Sequence, residues 1–153
     1  MSKAGYSAST GAAVALVAAT AKTVLTVIAP ATFGVDLQKI RIAFDGTNSA
    51  SVPALVELCY STQATAGTST AGTVNQVYGR ALTAGFTTAY NYTVEPTVLT
   101  VIDSYLVSPF GGTVIYDYPL GTTPDTAVSN GLALRITAPG AVNVRATMYF
   151  ERC

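Results

Sequence analysis

The sequence predicts an all-β fold, an antiparallel β-sandwich or jelly roll of about eight strands with a short N-terminal arm. Three observations carry this. In residues 131–152, Leu132, Leu134 and Ile136 alternate with Ala133, Arg135 and Thr137, and Val142, Val144, Ala146, Met148 and Phe150 alternate with Asn143, Arg145, Thr147, Tyr149 and Glu151. A period of two lays one apolar and one polar face along an extended chain. Further β-branched runs recur between Gly, Pro, Asn and Asp punctuation, with no convincing long helix. Finally, 153 residues, half of them hydrophobic, suit one domain with a real core.

Taken in order, residues 1–11 are small and polar and read as the arm, with 12–153 as a single β-sandwich domain. Residues 11–21 fit a short helix by Ala content or a strand by Val14, Leu16 and Ala18. Strand is preferred, because no cap or charged helix face appears. Thr-Val-Leu-Thr-Val-Ile at 23–28 is apolar on both faces, the mark of a strand covered on both sides. In 35–44 the inward parity changes from Val35 and Leu37 to Ile40, Ile42 and Phe44, which asks for a bulge near Gln38-Lys39. Asp45-Gly46-Thr47-Asn48 is a turn signal.

Residues 54–61 form a strand with Val56, Leu58 and Tyr60 inward, Glu57 outward and Cys59 on the Glu57 side. The low-complexity stretch 62–75 reads as a long loop, either functional or mobile. Residues 77–93 offer one short strand with flanking loop, 97–107 a long strand with Asp103 as its only charge, and 113–118 a further strand after a Pro109-Phe110-Gly111-Gly112 turn. Residues 119–130 are a loop. Residues 131–152 then form two antiparallel strands, a hairpin whose Pro139-Gly140 suits the centre of a type II turn. Thr-Val-Leu-Thr-Val-Ile recurs at 97–102, which fits either two similar halves or coincidence in a chain rich in Thr and Val.

Only 10% of the residues are charged, and eight basic side chains balance eight acidic ones. Ordinary soluble domains carry about 25%. Near-zero net charge favours association, so much of the surface is expected to meet other protein; the alternative is a monomer coated in Thr and Ser. Nucleic acid is not an expected partner, because the Lys and Arg residues are scattered. No run of about 20 apolar residues exists to span a membrane. Lys3, the small-apolar run 12–19 and Ala19-Thr20-Ala21 mimic a secretory leader, but the polar 6–11 segment and the Ala-dominated run argue against one. Two cysteines, Cys59 and Cys153, are too few for a disulfide framework and are read as free thiols.

Chemistry is sparse. Without His there is no Ser-His-Asp or Cys-His catalysis and no imidazole metal ligand. The cysteines lack zinc spacing, Asp45-Gly-Thr-Asn48 lacks the alternating acids of a calcium loop, and no phosphate-cradling Gly loop occurs. Asp103 and Asp117 sit on strands expected to be neighbours, the one arrangement from which a two-carboxylate enzyme would be built. The expectation is a protein that is not an enzyme, with no cofactor and no metal. Tyr combines an apolar face with a polar tip and serves interfaces. The expected interaction surface is Tyr6, Phe110, Tyr116 and Tyr118.

The polar arm, the two Thr-Val-Leu-Thr-Val-Ile strands and the Gly-Leu-Ala-Leu-Arg-Ile-Thr-Ala-Pro-Gly-Ala-Val-Asn-Val-Arg stretch at 131–145 resemble head decoration (cement) proteins of tailed bacteriophages. The resemblance is one of style over most of the chain, without a diagnostic motif, and carries over no functional residue. It implies a structural virion protein that binds the outer surface of the major capsid shell and stabilises it. It also implies a homotrimer, made in the host cytoplasm and located on the capsid surface, with the arm or long loops reaching to the shell. Another virion component (tail, fibre or minor capsid protein), a carbohydrate-binding module and an enzyme are the alternatives.

Overall fold

The computed structural model describes residues 3–45, 52–62 and 67–153. It contains twelve strands: β1 Gly5–Ser9, β2 Val14–Leu16, β3 Ala21–Ile28, β4 Val35–Phe44, β5 Ala54–Ser61, β6 Thr68–Ala71, β7 Val74–Tyr78, β8 Thr87–Val94, β9 Leu99–Val107, β10 Thr113–Asp117, β11 Gly131–Thr137 and β12 Val142–Arg152. They form two six-stranded sheets. One has the order β10-β4-β12-β1-β7, with β2 also on β12; the other is β6-β8-β3-β11-β5-β9. The pairings are nested: β1 and β2 lie on β12, β3 on β11, β4 on β10 and β5 on β9, all antiparallel. The chain is thus a long hairpin folded over itself, with strands β2 to β5 and β9 to β12 stepping alternately between sheets. That is jelly-roll topology, and the fold class read from the sequence holds.

Nesting corrects the reading of the C-terminal hairpin. β11 and β12 have the expected alternation, but β11 pairs with β3 and β5 while β12 pairs with β1, β2 and β4. Pro139-Gly140 carries the chain from one sheet to the other, and Gly140 does not take the positive φ of a type II turn. Alternation could not distinguish the two arrangements. A strand facing its successor across a sandwich core buries the same residues as a strand beside it.

The core lies between the sheets. Tyr6, Ala8, Ile40, Ile42, Val144, Ala146, Met148 and Phe150 meet Leu25, Val27, Val56, Leu58, Leu132, Leu134 and Ile136, all buried. Each large side chain here contributes about 1.5–3 kcal/mol by leaving water. One end is aromatic: Phe86 stands edge-on to Phe150, Phe33 and Tyr6 at centroid distances of 4.8, 5.1 and 5.5 Å. The parity change in β4 is resolved by the expected bulge. Tyr149 faces Lys39 but Phe150 faces Leu37, so Gln38 is the extra residue.

Three further readings are corrected. The segment expected as an arm contains β1, held between β12 and β7, with Tyr6 1% and Ala8 0% exposed. The stretch 62–75 holds β6 and the start of β7, and the strands among the described residues number twelve rather than eight because β1, β6, β7 and β8 extend the jelly roll; residues 63–66, like 46–48 of the turn signal, lie outside the described residues. Tyr60 shares the register of the inward residues but is 37% exposed, while Cys59 on the opposite face is wholly buried.

Candidate interaction surface

β9 ends one sheet and β10 ends the other, and among the described residues each has a strand partner on one side only. The two edges lie next to each other. The Tyr105 ring of β9 stacks on Tyr116 of β10 at 5.8 Å and 13°, and Tyr118 meets Tyr116 edge-on at 4.7 Å. The Tyr118 hydroxyl donates to Asp103 Oδ2 at 3.5 Å, tying one sheet to the other. The turn between the strands runs through Gly111 and Gly112, at φ 82° and 88°. Glycine adopts that left-handed backbone at no steric cost, and the turn leaves Phe110 at its crown.

Among the described residues, none covers the apolar side chains of this corner. Leu106 is 66%, Ile115 56% and Phe110 50% exposed, with Tyr116 and Val114 beside them. Exposed edges are ordinarily blunted by Lys, Pro or a covering element. Neither β9 nor β10 contains Lys, Arg or Pro, and Asp117 is neutralised by Lys39 at 3.2 Å. Of the four residues expected to form an interaction surface, Tyr116 and Tyr118 are in contact here and Phe110 lies on the adjoining β9–β10 turn. Tyr6 is not among them: it is buried beneath the opposite end of its sheet, so its assignment to a surface is corrected. Sequence reasoning missed Leu106 and Ile115. The signal was there in strands that carry apolar residues on both faces yet find cover on one.

The carboxylates are engaged separately. Glu57 pairs with Arg135 at 2.8 Å across β5 and β11. Glu95 accepts the Thr23 backbone N–H at 2.8 Å and its hydroxyl at 2.5 Å. Asp103 and Asp117 lie on opposite sheets, each with its own partner. No group of three or more Cys, Asp or Glu among the described residues is placed to hold a metal.

Burial pushes the Cys59 thiol up to about 11 and the Tyr105 hydroxyl up to about 12, and raises Tyr118 as well. These groups are neutral when protonated, so the folded state holds its protons to higher pH than the unfolded chain. Their contribution is complete below the unfolded values, about 8.5 for Cys and 10 for Tyr. It is lost as pH rises through the folded ones. Urea denaturation is therefore expected to give constant stability from pH 6 to 8 and a fall between about 9 and 12. Cys59→Ala should flatten the first part of that fall. In the native state a thiol reagent should label Cys153, which is exposed, and spare buried Cys59; two equally reactive thiols would show that the outer face of that sheet opens readily.

No protein-family model and no curated protein matches the chain. Among solved structures, that of Broad Bean Stain Virus, determined by cryo-electron microscopy, is similar over 100% of this chain and 89% of that one, at 9% identity and a TM-score of 0.27. Similarity at that level bears on neither fold nor function; the fold stands on the strand pairing itself.

Proposed function

We propose that this chain is a structural virion protein of the decoration type, without catalytic activity, that binds the outside of a capsid shell and stabilises it. The observation that carries the reading is the β9–β10 corner, where two strand edges without a second partner among the described residues lie side by side, flanked by the exposed apolar side chains of Leu106, Phe110 and Ile115. Open strand edges flanked by exposed apolar side chains mark a protein contact. A cement protein works through buried contact area and satisfied edges, and needs no perturbed acid or base. The occupant of the corner is the shell protein. The patch is uncharged and offers free backbone groups, which suits a protein surface and not a phosphate backbone. Self-association as a homotrimer around a local threefold axis belongs to the same proposal.

The test is co-sedimentation with head shells that lack tails, read with equilibrium sedimentation of the free protein. Saturable binding at hundreds of copies per shell and a trimeric mass are expected. Binding confined to tails or fibres would make it another virion component. A carbohydrate-binding module is the second reading, favoured by a recess of about 260 Å³ lined by Tyr78, Tyr149, Gln38 and Lys39. Specific retention on a glycan array, abolished by Tyr149→Ala, would select it over decoration.

A further inference from the structure

We propose an oxyanion-binding site, for a carboxylate or phosphate group, on the outer face of the β10-β4-β12-β1 sheet. Strand register builds it. Ile115, Arg41, Thr147 and Ser9 face one another in one row across β10, β4, β12 and β1, and Thr113, Ala43 and Arg145 form the adjacent row. Arg41 and Arg145 are therefore diagonal neighbours on one face, within reach of a shared ligand. Ala43, between Thr113 and Arg145, is too small to fill the gap. A recess of about 430 Å³ results, lined by both arginines and by the hydroxyl residues Ser9, Thr113 and Thr147.

Among the described residues three guanidinium groups lack an ion pair and a hydrogen bond, those of Arg41, Arg80 and Arg145, and two of the three share this recess. Lys3, Lys39 and Arg135 each hold a carboxylate. Lys22 and Arg152 donate to backbone carbonyls. Among the described residues Arg145 has no hydrogen bond or ion pair, and Arg41 only approaches the Tyr149 ring at 5.8 Å. Every acidic residue of the chain is described, and none pairs with either. β10's own acid, Asp117, is held by Lys39, and Asp45 accepts from the Asn143 side chain at 2.6 Å. In a chain of net charge zero, two uncompensated guanidinium groups converge on one hydroxyl-lined recess. Guanidinium presents paired donors in a plane that matches carboxylate and phosphate oxygens. The site adjoins the β9–β10 corner, with which it shares Ile115, but it does not rest on the decoration reading.

Amide NMR shifts at constant ionic strength test it, with inorganic phosphate and a tetraglutamate peptide as probes and chloride as the control. Saturable shifts at Arg41, Ala43, Arg145 and Thr147 are expected. Both arginines are surface residues, so Arg145→Gln and Arg41→Gln should fold and weaken the interaction on the order of tenfold each, the loss of one charge-assisted hydrogen bond. Saturation by phosphate alone identifies a free anion as the ligand, and saturation by the peptide identifies a protein carboxylate; either supports the site. No saturable shift beyond the chloride control, or equal shifts in the Arg41→Gln/Arg145→Gln double variant, would overturn it.

Discussion

A chain lacking residues 1–11 is expected to fail to fold, giving no cooperative transition in urea and no near-ultraviolet circular dichroism. Read as a polar arm, the segment would be dispensable for folding and needed for assembly. Its placement in the sheet reverses that. β1 supplies the edge pairing of β12 from Thr147 to Glu151 and, among the described residues, the one strand partner of β7, from Val74 to Tyr78. Thr10 continues the ladder by donating its N–H to Ala146 and receiving the Ala146 N–H on its hydroxyl. Removal also empties the place of Tyr6, whose ring lies between Phe86 and Phe150. Truncating a buried aromatic to Ala costs about 3–5 kcal/mol, out of about 5–15 kcal/mol for a whole domain. Tyr6→Ala should therefore lower the urea midpoint sharply. Tyr6→Phe should not: the buried hydroxyl has no partner among the described residues, and its loss is expected to change stability by less than about 1 kcal/mol. A deletion variant with native dichroism and an unchanged midpoint would show that β1 is an arm after all.

How far this arrangement could be read from the chain depends on where a residue's information lies. Local alternation is intrinsic to a strand, so β4, β5, β11 and β12 were legible, as was the Gln38 bulge, which follows from a parity conflict inside one segment. Partner choice is not intrinsic. Thr-Val-Leu-Thr-Val-Ile occurs twice, and in β3 its Val24, Leu25 and Val27 are wholly buried between β8 and β11. In the second copy, at the sheet edge, Val98 and Val101 are 41% and 42% exposed. Identical residues thus have opposite environments, set by strand order alone. The arm was misread for a related reason. Gly5, Ser7 and Ser9 make β1 look soluble, yet a strand whose outer face meets solvent needs only Tyr6 and Ala8 for its inner one. β6 is exposed throughout and has no apolar face to detect, because a backbone ladder to β8 holds it. The interaction surface was half legible. Aromatic type pointed to Phe110, Tyr116 and Tyr118, whereas the convergence of β9 and β10 at one corner depends on the nested topology.

Placing Lys at Leu106 and Phe110 together is expected to leave the fold intact and remove shell binding by on the order of a thousandfold. Both side chains are at least half exposed in the free protein. A charge there stays in water, and surface substitutions of this kind change stability by less than about 0.5 kcal/mol. In the proposed complex the same positions lie under the shell protein, where a lysine must either leave water unpaired or hold the surfaces apart. Central contact residues typically lose 2 kcal/mol or more on substitution, and two such losses make about 4 kcal/mol, or three decades in affinity. Edge lysines also block strand-to-strand pairing, so the variant should be more soluble than the parent at the same concentration. The control is Val17→Lys, equally exposed at 66% but on the β2–β3 connection away from this corner, which should bind shells as the parent does. Parental binding by the double variant, at unchanged stability, would move the contact elsewhere on the molecule and leave the apolar corner without its proposed role.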